Sequence, residues 1–212
     1  MTDFLYPFLD GERPDVPALL ADLADSAMAK AADSTSLAAA TLEREGEHVE
    51  ALAREMAERF GAGGRLFTFG NGGSSTDAAS LAGLFGSPPW GRTLPARCLA
   101  DDTAVLTALG NDVGFDLVFS RQLIAHTRQG DIALGMSTSG NSRNVIIAFT
   151  EARRRGLLTV GLAGYDGGEM AVSPDVDHVL VVSSDSVHRV QEAQAAVSFS
   201  LWSAVQDRLG DG

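Results

Sequence analysis

The chain has 212 residues, 45% of them apolar, enough for one α/β domain to bury a full core without metal or disulfide staples. A net charge of −12 opposes nonspecific attraction to nucleic acid or an anionic membrane, so the sequence predicts direct contact with neither. Cys98 is the only cysteine, which excludes an intramolecular disulfide, a cysteine-rich zinc site and a CxxC motif, and fits a cytoplasmic setting.

The basic residues are 15 arginines and a single lysine, Lys30, far upstream of any glycine-rich loop. A Walker-type P-loop needs a lysine directly after its second glycine and is thereby excluded, and a Schiff-base mechanism would rest on Lys30 alone. The opening MTDFLYPFLDGERP lacks a basic stretch followed by an apolar one, and no run approaches the roughly 18 apolar residues that span a bilayer. The chain is therefore expected to be neither exported nor membrane-spanning.

From Val16 to about Ala32 an Ala/Leu-rich run with Asp22, Asp25 and Asp33 predicts a short helix, and residues 1–35 read as a helical extension to a domain over 36–212. A second helix is predicted where Leu42, Val49, Leu52, Met56 and Phe60 share one face, ending at Gly61, Gly63 and Gly64. Beyond it, RLFTFG, ARCLA, DIALGMS, LLTVGLA and DHVLVVS are five strand candidates. Helices fit between them, at Ala78 to Phe85, Thr103 to Leu109 with Phe115 to His126, Val145 to Arg155 and, briefly, Glu169 to Val172. A last helix carries Val190, Val197, Leu201 and Val205 on one side. Strands alternating with helices imply crossovers, hence an α/β fold with a parallel sheet covered on both faces.

Ligands of such sheets bind beyond the carboxyl ends of the strands. Two loops there stand out: GNGGSSTDA, with Asn71, Gly72, Gly73, Ser74, Ser75 and Thr76, and STSGNS, with Ser137, Thr138, Ser139 and Ser142. Hydroxyls and free amides at the start of a helix form an anion site that needs no lysine, and phosphate is its natural occupant. Such residues also serve as ordinary caps and turn formers, and it is their occurrence in two loops, each after a strand and before a helix, that points to a site. A dinucleotide fingerprint fits worse, because Ser75 stands where its third glycine belongs, and Asp101 and Asp102 lie about thirty rather than about twenty residues on.

GNGGSSTDA, LTALGNDVGFDLVFSRQL, GDIALGMSTSGNSRNVI, GYDGGEM and HRVQEAQ together resemble the sugar isomerase (SIS) domain family, in the group of phosphoheptose isomerases and DnaA initiator-associating proteins. The resemblance covers about Ser36 onward and implies a five-stranded parallel sheet, homotetramers and phosphosugar sites near subunit interfaces. It places binding positions on Asn71, Gly72, Gly73, Asn111, Asp112, Ser137, Thr138, Ser139, Ser142 and Gln191, to which the first loop adds the Ser74 hydroxyl.

The resemblance assigns proton transfer to a Glu and a His that, with a second His and a Gln, hold zinc. Those positions fall on Ser80 (first His), Leu84 (Glu), Phe199 (second His) and Gln191, of which only the glutamine is retained. No metal or other cofactor is therefore expected. His188, three residues before Gln191, is the substitute acid/base candidate, while His48, His126 and His178 read as packing or surface residues. Arg143 stands where it can meet a sugar phosphate, Arg153 to Arg155 suit a helix C-terminus, and Trp90 sits on a Pro/Gly-rich loop over the pocket or against another subunit.

The expectation is a homo-oligomeric phosphosugar-binding protein that has lost the zinc-dependent isomerase apparatus and acts as a sensor, regulator or adaptor. The alternative is a working phosphoheptose isomerase that converts sedoheptulose 7-phosphate to D-glycero-D-manno-heptose 7-phosphate through other acid/base groups. A third reading is a module that only binds a protein partner.

Overall fold

The computed structural model describes residues 16–210, so MTDFLYPFLDGERP and the first part of the expected extension lie outside the described residues. Helix α1 (Val16–Gly61) runs unbroken for 46 residues where the sequence predicted two helices. Ser34 and Thr35, residues that favour a break, instead turn their hydroxyls onto the carbonyls of Lys30 and Ala31 at 3.0 and 2.9 Å and are absorbed into the helix.

The chain then alternates: β1 (Leu66–Gly70), α2 (Gly73–Gly86), β2 (Ala96–Cys98), α3 (Thr103–Asp112), a 3-10 turn (Phe115–Leu117), α4 (Val118–His126) and β3 (Ile132–Ser137). It continues with α5 (Arg143–Arg154), β4 (Leu158–Gly164), α6 (Gly168–Val172), β5 (His178–Val182) and α7 (Val187–Gly210). All five predicted strands form, and each pairing is parallel, in the order β2-β1-β3-β4-β5.

Side chains alternate across the sheet, so each strand feeds two cores. Leu66, Leu134, Met136, Val160, Leu162 and Leu180 pack with α1, α2 and α7, whereas Phe67, Phe69 and Ala133 pack with α4, α5 and α6. The centre of the second core is an aromatic trio in which the Phe69 ring lies 5.4 Å from Phe119 and 5.5 Å from Phe149. Gly135 makes room for it, because a Cβ there would strike both Phe149 and Phe69.

The fully buried carboxylate of Asp131, at the start of β3, accepts from the backbone N–H groups of Arg65 and Arg128, each at 2.9 Å, and from the Arg65 guanidinium at 2.7 Å. One side chain thereby fixes where β1 and β3 begin. After β1 the chain moves to one side of that strand for β2 and returns on the other for β3. Such a reversal opens a crevice at the carboxyl ends of the two strands, and both serine-bearing loops leave from there.

Candidate functional site

At the end of β1, Gly72 takes φ 54°, ψ −125°, a conformation closed to most side chains, and α2 starts directly after it. The helix begins at Gly73 rather than at the predicted Ala78, because the small and hydroxyl residues 73–76 form its first turn. Ser75 hydroxyl donates to the Gly72 carbonyl at 2.7 Å, while Ser74 is buried and Thr76 is exposed. Gln191, in the early part of α7, lies against Gly73 so closely that a Cβ there would collide with its amide. Asn71, Gly72, Gly73 and Gln191 are thus brought together although 191 is remote in sequence.

The second loop follows β3. Ser142 is the N-cap of α5, yet its hydroxyl does not cap the helix; it pairs with the Ser137 hydroxyl at 2.9 Å. The first two amides of α5, at Arg143 and Asn144, are left for an incoming acceptor, whereas Val145 N–H already donates to the Ser142 carbonyl at 2.9 Å; beside them are two hydroxyls held at the positive end of a 12-residue helix. Ser139 accepts from the Asn141 N–H at 3.2 Å, and the Thr138 carbonyl accepts from Gly164 N–H at 3.0 Å. Gly140, at φ 66°, sits where a Cβ would collide with the Gly167 carbonyl, so this loop is locked onto the turn after β4. In that turn Tyr165 holds φ 53°, a strained value for a bulky residue.

These loops open into a cleft of about 670 Å³ lined by Ser139, Asn141, Tyr165, Asp166, Ser184 and Asp185. Ser184 and Asp185 also line a neighbouring cleft of about 540 Å³ with Lys30, Asp33, Ser186, His188 and Arg189. His188 is exposed on the first turn of α7 in that second cleft, on the same face as Gln191. Arg189 crosses to α1, donating to the Lys30 carbonyl at 2.7 Å and to Ser34.

Asn111 and Asp112, at the end of α3, hydrogen-bond to each other at 2.8 Å, and no hydrogen bond among the described residues joins them to the serine loops. Asp102 caps α3 by accepting from Val105 N–H at 3.0 Å, an ordinary structural task. Arg143 pairs with Asp116 at 3.3 Å, and the Trp90 ring packs against Trp202 at a 60° tilt with centroids 4.6 Å apart. Sequence reasoning did not single out Asn144, Asp166, Ser184, Asp185 or the cleft-lining role of Tyr165; Asn144 had a usable signal inside GDIALGMSTSGNSRNVI, and Tyr165 and Asp166 had one inside GYDGGEM, whereas Ser184 and Asp185 had none.

Two ionisable groups beside the site are shifted by burial. Desolvation pushes the Asp77 carboxyl up from its usual range, and its Oδ2 is buried without a hydrogen-bond partner. The buried Cys98 thiol is also pushed up, which makes it a poor nucleophile.

The positions at which the resemblance puts zinc do not suit a metal here. Ser80 hydroxyl donates to the Thr76 carbonyl at 2.9 Å, Leu84 packs on the core, and the Phe199 ring lies 5.2 Å from Trp202. Gln191 is the one donor left, and one amide oxygen does not make a zinc site.

Residues 31–164 match the family model for the SIS domain. The chain is 47% identical over 146 residues to the phosphoheptose isomerase of Sulfurimonas denitrificans, covering 68% of this chain and 74% of that protein. It is 44% identical over 176 residues to that of Geobacter sulfurreducens, covering 76% of this chain and 91% of that one. The chain belongs to the SIS-domain phosphoheptose isomerase family. The phosphoheptose isomerase of Neisseria gonorrhoeae has the same fold, with a TM-score of 0.80 and 33% identity over 87% of this chain and 99% of that one.

These relatives correct the functional expectation. Three replaced side chains point to a sensor, regulator or adaptor, but the match extends over most of the chain and these relatives are phosphoheptose isomerases. Among the described residues no helix is long and apolar enough to cross a membrane.

Proposed function

We propose that this protein is a phosphoheptose isomerase that interconverts sedoheptulose 7-phosphate and D-glycero-D-manno-heptose 7-phosphate. The observation that carries this reading is the 43% identity, over 77% of the chain, to a phosphoheptose isomerase from Solidesulfovibrio magneticus, alongside the relatives above. Ser137, Thr138, Ser139 and Ser142, with the first amides of α5, receive the phosphate. The shared walls of the two clefts, Ser184 and Asp185, let the sugar extend from Ser139 towards His188. Asn71, Gly72, Gly73, Ser74 and Gln191 line the other side, and Asn111 and Asp112 contribute across a subunit boundary.

Isomerisation moves a carbonyl from C2 to C1. His188 takes a proton from C1 of the ketose, the released electron pair forms the C1–C2 double bond, and the carbonyl electrons move onto O2, which takes a proton. Return of a proton to C2 while the O1 hydroxyl gives up its own completes the aldose. No step is assigned to a metal.

The exposed apolar side chains of α1, among them Leu19, Leu20 and Leu23, with Trp90 and Phe199, support assembly into a homotetramer. The buried free thiol of Cys98 suits the cytoplasm.

A coupled assay for heptose 7-phosphate tests the reading. Turnover by the wild-type protein is expected, with kcat reduced by about 100-fold or more in His188→Ala. Absence of turnover at any metal concentration would refute the activity; full activity of His188→Ala would remove His188 from it.

A further inference from the structure

The two strand-end loops are joined by one pair of side chains. Asn71 Nδ2 donates to Asn144 Oδ1 at 2.8 Å, and Asn144 Nδ2 donates back to Asn71 Oδ1 at 2.9 Å. Asn71 directly follows β1, and Asn144 lies in the first turn of α5, two residues after the Ser142 cap. Asn144 is 2% exposed, whereas Asn71 is half-buried.

From this we infer that Asn144 is a positioning residue: it holds the Asn71 amide in one orientation and so sets which edge of that amide meets the sugar. The inference rests on the isomerase reading and adds to it a residue that does not itself touch the substrate.

A primary amide has two N–H donors and two acceptor sites, and its two ends are nearly the same size, so a free asparagine turns over at little cost. In the reciprocal pair neither amide can turn alone without setting N–H against N–H and oxygen against oxygen. A turn of Asn71 therefore requires a matching turn of Asn144, whose side chain is held in the interior. Each amide spends one donor and one acceptor on the other. The capacity left on Asn71 is on the more accessible partner, beside Gly72 and Gly73, where Gln191 also presses. Asn71 thus offers a paired donor and acceptor at the sugar, with its turning tied to that of a buried partner.

A residue that merely stapled the loops would act on everything bound there, whereas a positioning residue acts only through Asn71. A double-mutant cycle separates the two. Asn144→Ala, Asn71→Ala and the double variant are assayed for kcat/KM with sedoheptulose 7-phosphate, for competitive inhibition by inorganic phosphate and for Tm. Asn144→Ala is expected to lower kcat/KM about tenfold, the value of one neutral hydrogen bond, and to leave the phosphate inhibition constant unchanged within about twofold. In the Asn71→Ala background the same substitution is expected to change kcat/KM by no more than about twofold.

Equal losses in both backgrounds, or a matching loss of phosphate affinity, would overturn the inference while leaving the isomerase reading intact. A wild-type protein that neither binds nor converts the sugar phosphate would overturn both. Should Asn144→Ala fail to fold, Asn144→Ser enters the same cycle with the same expected pattern, since its hydroxyl is too short to rebuild the ring.

Discussion

Asp77 has a buried carboxyl oxygen that receives no hydrogen bond, on the face of α2 that also carries Ser80 and Leu84. Its proton affinity is raised by desolvation above the usual value of 3.8, so the folded chain holds this proton more tightly than the unfolded chain does. Stability is therefore lost as pH rises from the unfolded value through the folded one, and the loss persists above it. Asp77→Asn is expected to raise Tm at about pH 7, with the gain shrinking as thermal scans approach about pH 4. A lower Tm for the variant at neutral pH would show that the ionised carboxylate is wanted in place. Single residues were legible unevenly. The hydroxyls of the STSGNS loop announced themselves as a run, whereas the strain at Tyr165 follows from a turn locked against Gly140 and has no local sequence signature.

At the scale of elements, α1 and the β1/β3 pair show opposite outcomes. The strands were visible as apolar runs bounded by turn residues, because a strand buried on both faces needs apolar side chains throughout. The continuity of α1 was not visible, since the two predicted helices left the stretch between Ala32 and Leu42 unassigned, and only the structure shows the Ser34 and Thr35 hydroxyls bonded within one helix. Asp131 is the element-scale linchpin. Its carboxylate ties the backbone at Arg65 to that at Arg128, and removal leaves those two N–H groups without their acceptor and the Arg65 guanidinium with the His126 carbonyl alone. Asp131→Ala is expected to lower the free energy of unfolding by about 3 kcal/mol in urea titration. A change under about 1 kcal/mol would mean that water replaces the carboxylate with little loss.

At the scale of the whole molecule, α1 presents apolar side chains that the single chain leaves exposed. Leu20 and Leu23 are 60% and 57% exposed, so the single chain does little to bury them. Introducing charge there is expected to leave chain stability within about 0.5 kcal/mol, while a subunit interface would be disrupted by it. The double variant Leu20→Glu, Leu23→Glu is therefore expected to give a smaller species than wild type by light scattering, with helix content preserved. Identical masses would place the subunit contacts elsewhere. The three altered positions Ser80, Leu84 and Phe199 bear on the same scale: they weighed heavily when read alone, and lightly against identity that runs through most of the chain.

The sequence by itself determined the α/β class, the five strands, the two serine-bearing loops and the family, because apolar periodicity, glycine placement and short motifs are local properties. Only the tertiary structure decided that the loops after β1 and β3 meet at the reversal of strand order, that Gln191 closes on Gly73, and that Asn71 is held by Asn144. Those contacts join residues tens of positions apart, and their geometry depends on strand order and helix placement, which no local pattern encodes.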